Sequence, residues 1–161
     1  MTVRVTDRGA NELLRRLREA QRGTSVKVGV IGAEAADTTP DGTLTVADVA
    51  SFHEFGLGNN EKRSFIRAYV DERDAELRQR LRGIGEAVIR RRLPVAPGLD
   101  QFGSLAIGEI KERMAAGLQP NLSEAYVARR KLTDNTARLI RTEQLRSSIS
   151  YAVEPGMQEG T

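Results

Sequence analysis

Cysteine is absent from the 161-residue chain, which excludes disulfides, thiolate nucleophiles and cysteine-based metal sites. Tryptophan is absent too, and three Tyr with four Phe bring aromatics to only 4%. Histidine occurs once, as His53. Beside Glu54 it makes a His-Glu pair, but a zinc-protease helix needs a second His one turn on, and Leu57 stands there. No Gly-Lys-Ser/Thr follows a strand, so Gly29, Gly32, Gly56 and Gly58 do not form a phosphate-cradling loop. No apolar run approaches the ~20 residues of a membrane span. The opening MTVRVTDRGANELL has no signal-peptide apolar core, so synthesis in the cytoplasm is the expectation. These gaps leave no catalytic residue, metal, cofactor, membrane or small-molecule substrate to assign.

Charge of one sign is also scarce. Lys and Arg number 25 against 22 Asp and Glu, giving a net charge of +3 with a pI near 9.6. Asp71, Glu72, Asp74 and Glu76 interleave with Arg73, Arg78 and Arg80, which reads as a solvated helix face with ion pairs. Arg90-Arg91-Arg92 and Arg129-Arg130-Lys131 are the strongest basic runs. Each suits a helix C-terminus, where cations complement the dipole, or a phosphate-binding patch. With 39% apolar and 29% charged residues, material for a core is thin. That fits an elongated helical protein that gains burial by oligomerising, and equally a small domain with long solvated helices.

Periodicity supplies the elements. Asp7 to Gln21 reads as an amphipathic helix with Ala10, Leu13, Leu14, Leu17 and Ala20 on one face. Ser25 to Ile31 alternates as a strand. Ala33 to Thr43 reads as an exposed loop or hairpin tip, with a turn at Pro40-Asp41-Gly42. Thr45 and Asp48 form a capping-box pattern for a short helix that places Val46, Val49, Ala50 and His53 on one side. Gly56 stops it. Leu57 to Arg63 is a polar loop. Ser64 caps a long helix running to about Leu93, with Gly83 and Gly85 as possible breaks. Pro94 to Gly98 ends that helix, and Asp100 caps the next, Gln101 to about Ala116. Ser123 opens a short helix, another carries Leu139 and Leu145, and Ser148 to Val153 is a closing strand. The expected fold is α+β: a small antiparallel sheet packed by a long helix and several shorter ones, one domain over 1–154. A disordered tail is expected from Pro155.

Two stretches carry a resemblance. Val49 to Gly56 (VASFHEFG) and Arg63 to Arg67 (RSFIR) follow the strand Val26 to Gly32 (VKVGVIG). Near the other end, Pro120 to Lys131 precedes Thr142 to Tyr151 (TEQLRSSISY). In this order and spacing, from Val26 to Val153, the chain resembles the tail-completion or virion-morphogenesis (neck, minor tail) proteins of tailed bacteriophages. The family's Thr-Gly pair is Thr142-Glu143 here, and Leu132 to Arg141 lacks its usual glycine-rich loop.

The resemblance implies a structural virion protein at the head–tail junction. It would act by assembling as a ring around the DNA channel. Its partners would be further copies of itself and neighbouring neck, tail or connector proteins, with genomic DNA passing through the lumen unread. A ring needs heterologous contacts. Phe52, Phe65 and Ile66 are expected in the core. Phe55 and the loop residues Leu57, Asn59, Asn60, Lys62 and Arg63 are interface candidates, with Asp37 and Asp41 in the second loop. The alternative is a basic helical nucleic-acid-binding protein using the Arg90 and Arg129 runs. A hydrolase centred on His53 or a carboxylate pair comes third.

Overall fold

A computed structural model describes residues 11–12, 14–15, 18, 23–38, 42–58, 61–90, 93–118, 128 and 143–155. Their element order is β1 (Ser25–Val30), a 3-10 turn (Ala33–Ala36), α1 (Val46–Phe55), α2 (Ile66–Ile89), α3 (Val95–Ala116), α4 (Glu143–Ser148) and β2 (Ile149–Glu154). This is the α+β fold expected, mostly helical, with a long helix packed on a two-stranded sheet. The strands are antiparallel: the Ser150 hydroxyl donates to the Ile31 carbonyl, and Lys27 pairs with Glu154. Most of the helices expected over Asp7 to Gln21 and from Ser123 lies outside the described residues, as does the Leu139 end of the last expected helix, whose Leu145 end is α4.

By its contacts the chain divides into two compact units. One comprises Val28–Asp74 and Ser104–Tyr151. Its core is Val46, Ala50, Phe65, Tyr69, Ala106, Ile110, Met114, Leu118, Leu145 and Ile149. Phe65, Ile110, Leu145 and Ile149 are the large side chains buried below 2% exposure. Each contributes about 1.5–3 kcal/mol from removing apolar surface from water. α1 packs on α4 and on the 3-10 turn. The expected hairpin tip closes by an antiparallel bridge between Thr38 and Thr45, and the Asp37 carbonyl accepts from Val46 N–H at 2.8 Å. The capping box then starts α1. Thr45 Oγ1 accepts from Asp48 N–H at 3.1 Å, and Asp48 Oδ2 accepts from Thr45 N–H at 2.9 Å.

A polar clamp holds the first turns of α2 to α3 in this unit. Tyr69 Oη donates to Glu109 at 2.7 Å, Arg73 pairs with the same carboxylate at 3.4 Å, and Arg113 grips Glu72 with both terminal nitrogens. Glu72 and Arg73 therefore reach another helix, whereas Glu76–Arg80 and Glu86–Arg90 are the same-helix pairs expected of a solvated face.

The other unit comprises Met1–Lys27, Ala75–Gly103 and Ala152–Thr161, and among its described residues the buried apolar ones are Leu77, Val88 and Leu99. One possibility is not realised here, and one expectation fails. α2 runs unbroken through Gly83 and Gly85 to Ile89. α3 begins at Val95, not Gln101, so Asp100 lies inside the helix and not at its N-cap. Pro97 is tolerated because it sits in the first turn, where its missing N–H would have had no helical partner. Gly98 donates to the Pro94 carbonyl at 3.3 Å.

Gly98 is where the helices of this unit come closest. A Cβ there would stand 2.6 Å from Ile84 Cγ2 and 3.0 Å from Leu93 Cδ2. Nothing lies within 4 Å of a Cβ added at Gly83 or Gly85. The three alanine variants should therefore differ in sign. Gly83→Ala and Gly85→Ala should each stabilise by up to about 1 kcal/mol, and Gly98→Ala should destabilise by about 1–3 kcal/mol. Urea unfolding of the three variants checks this; a stabilised Gly98→Ala would contradict the packing described.

Candidate functional site

The buried face of α1 runs Val46, Ala50, Glu54 at four-residue steps, 2%, 8% and 7% exposed. Val49 and His53, expected on that face, are only half-buried. A carboxylate on an apolar face is costly unless it is fully hydrogen-bonded. Glu54 meets that condition at the start of α2. Its Oε1 accepts from the Ser64 hydroxyl at 2.6 Å and from Arg67 N–H at 2.8 Å. Its Oε2 accepts from Phe65 N–H at 2.9 Å and Ile66 N–H at 3.1 Å. Ser64 Oγ in turn accepts from Ala68 N–H at 3.1 Å. The N–H groups that a helix start leaves without partners are thus satisfied, from Phe65 through Ala68. The negative charge also sits at the positive end of the helix dipole. Ser64, the expected cap of this helix, shares the role with a residue ten positions earlier.

Gly56 makes the close return possible. Its backbone is left-handed, φ 68° and ψ 47°, and its N–H donates to the Phe52 carbonyl at 2.9 Å. A Cβ at Gly56 would lie 2.9 Å from both the backbone N and the Cβ of Lys62. Arg63 N–H then donates to the His53 carbonyl at 2.8 Å, tying the end of the loop to the end of α1. The string Glu-Phe-Gly thus has three separate jobs. Glu54 joins two helices, Gly56 turns the chain, and Phe55 is left 51% exposed. The Arg67 guanidinium lies over the Phe55 ring, 5.3 Å from its centroid. Beside them a cavity of about 370 Å³ is lined by Val30, Ala47, Ala50, Ser51 and Ile66, among others.

The interface candidates separate on exposure. Phe55, Leu57 and Lys62 face outward, as does Asp37 in the other loop. Arg63 does not: it is 6% exposed, with its guanidinium on Glu61 Oε2 at 3.1 Å. Its aliphatic stem is covered and its charge is held within the loop, which corrects its placement among exposed contacts. Asn59, Asn60 and Asp41 lie outside the described residues. Of the expected core residues Phe65 is fully buried, and Phe52 and Ile66 are half-buried. Glu54 was not singled out from sequence. The available signals were its four-residue spacing from Ala50 and the lack of any acidic residue in the first turn of α2.

Two titratable groups are perturbed here. Burial pushes the Glu54 carboxyl up, but the hydrogen bonds from Ser64, Phe65, Arg67 and Ile66 together outweigh it and hold the carboxyl below its ordinary value. With four donors the carboxylate's acceptor capacity is taken up by the chain itself, so it is a structural group. His53 Nδ1 is buried without a hydrogen-bond partner. Burial, and then the charge of Arg63, lower the His53 pKa, so the imidazole is held neutral. No group of three or more His, Asp or Glu among the described residues is arranged to hold a metal ion. Nor is any helix among them long and apolar enough to cross a membrane. No protein-family model, curated protein or solved structure matches this chain.

The two shifts act on stability at different pH. Both folded-state pKa values are depressed, so the unfolded chain binds the extra proton more readily, and stability falls with pH in both cases. For His53 the loss begins as pH drops through about 6.5, and for Glu54 through about 4.5. Denaturation midpoints from pH 8 to 3 should therefore fall in two steps. His53→Gln should flatten the upper step, and Glu54→Gln the lower. Glu54→Ala, which strips α2 of its cap, should cost about 2–4 kcal/mol at pH 7. A Glu54→Ala protein as stable as the parent would refute the capping role.

Proposed function

We propose that this chain is a structural virion protein of a tailed phage, acting at the head–tail junction by ring assembly around the DNA channel. The observation that carries this reading is the corner built from its Glu-Phe-Gly and Arg-Ser-Phe-Ile-Arg segments. Glu54, Gly56 and Ser64 to Arg67 form one hydrogen-bonded unit that holds Phe55 and Leu57, 51% and 45% exposed, out to solvent. Aromatic and aliphatic side chains held rigidly outward lose little entropy when a partner covers them, which suits contact anchors. The resemblance in motif order supplies the class of partner: further copies of the chain, and the connector and tail proteins on either side. The virion is accordingly the proposed location.

DNA would pass through the ring without being read. Supporting this, many cations of the described residues are paired with carboxylates: Lys27 with Glu154, Arg73 with Glu109, Arg80 with Glu76, Arg113 with Glu72. Such pairing leaves little of the segregated basic face that phosphate binding requires.

Cryo-electron microscopy of particles containing the chain tests the reading, with copies expected as a ring between portal and tail. A Phe55→Ser/Leu57→Ser variant should leave heads and tails unjoined, with folding stability within about 0.5 kcal/mol of the parent. Absence of the chain from particles, together with tight and salt-sensitive duplex binding, would instead favour a nucleic-acid-binding protein.

A further inference from the structure

A ring of identical subunits needs two different surfaces on each copy, a patch and the patch that meets it on the neighbour. Within the unit of Val28–Asp74 and Ser104–Tyr151, two surfaces have complementary polarity and charge. The first is the cavity of about 370 Å³ beside α1, with apolar walls from Val30, Ala47, Ala50, Phe55 and Ile66. Arg67 stands at its rim, exposed and stacked on Phe55. Among the described residues no carboxylate pairs with it.

The second surface is the outer face of α3. Leu105 is 57% exposed, the most exposed of the large hydrophobic side chains described. Gly108, one turn on, is exposed with open space where a Cβ would be, so another chain can approach the helix closely there. Glu112 lies on the same stripe, two turns from Leu105 or about 10 Å along the axis. It is exposed, and no cation among the described residues pairs with it. One surface is thus an apolar recess with a positive rim, and the other is an apolar knob with a negative neighbour.

We infer that the recess beside α1 receives Leu105 of a second copy of this chain, with Arg67 of the first copy pairing to Glu112 of the second. This rests on the ring reading above and specifies its contact. Covering Leu105, Phe55 and the recess walls supplies the apolar burial that a thin core leaves undone. The Arg67–Glu112 pair sets direction, since a reversed copy would bring like charges together. Because the recess and the knob are different patches, the contact repeats from copy to copy and does not end at a dimer.

Charge exchange tests the contact. Arg67→Glu and Glu112→Arg should each weaken self-association more than about tenfold, as like charges then face each other. An equimolar mixture of the two variants should restore it, because every interface in an alternating ring is again complementary. Sedimentation velocity on the full chain reads both results. The natural chain has no cysteine, so every disulfide in a Ser51→Cys/Leu105→Cys variant joins introduced thiols, and peptide mapping should find Cys at position 51 linked to Cys at position 105. Oxidation in solution and in purified particles should then give a ladder of linked copies.

If particles contain a ring but this variant gives no ladder and both charge variants assemble like the parent, the proposed contact is wrong while the ring stands. If the chain is absent from particles and stays monomeric at every concentration, both fall. Weakening by the single variants without restoration in the mixture would also overturn the pairing.

Discussion

A single carboxylate holds the corner on which the rest of this protein depends. Glu54 projects from the last turn of α1 into the first turn of α2 and accepts from a hydroxyl and the N–H groups of three consecutive residues. A charge removed from water is expensive, and a helix start removed from water leaves donors unpaired. Put together, each problem answers the other. The side chain must be long enough to reach across from α1 and must carry two acceptor oxygens, and glutamate does both. The chain between the helices must also double back at once, which requires the left-handed Gly56 and its close contact with Lys62.

That corner decides what the surrounding residues can do. His53 and Arg63 are pulled inward by the bond between their backbones, which leaves the imidazole neutral beside a buried guanidinium. Phe55, on the opposite side of α1 from the buried face, is turned out, with the Arg67 guanidinium over its ring. Farther along α2, the clamp of Tyr69, Arg73 and Glu72 on Glu109 and Arg113 fixes α3 against the same helix. Glu54, Arg63, Glu72, Arg73 and Glu109 are already engaged by the chain itself. The proposed contact between copies uses two of the charges that are not.

Much of the local structure was legible before the fold was known. The strand expected over Ser25 to Ile31 ends at Val30, and the closing strand expected from Ser148 starts at Ile149. The Thr45–Asp48 box and the Gly56 stop are both present, because they rest on contacts only three or four residues apart. Errors arose where a residue's meaning depended on its place in an element. Pro97 and Gly98 look like breakers, yet in a first turn the proline removes no bond and the glycine gives room for Ile84. Arg63 looks like a solvent-facing loop cation, yet it is 6% exposed. Glu54 looks like one more surface acid, since its partners are ten to thirteen residues away in a helix that has no acid of its own in its first turn.

The sequence by itself determined the α+β class, the order of the described elements, the capped start of α1 and its glycine stop, and the absence of any thiol chemistry. These follow from composition and from short-range periodicity, which act before any long-range contact forms. Only the tertiary structure decided that Glu54 is the cap of α2, that Arg63 is inside, and that a recess with Arg67 at its rim opens beside an exposed Phe55. Each of those depends on which groups meet across a turn or between helices. Whether a charge is solvated or buried is a property of the neighbours that the fold brings to it.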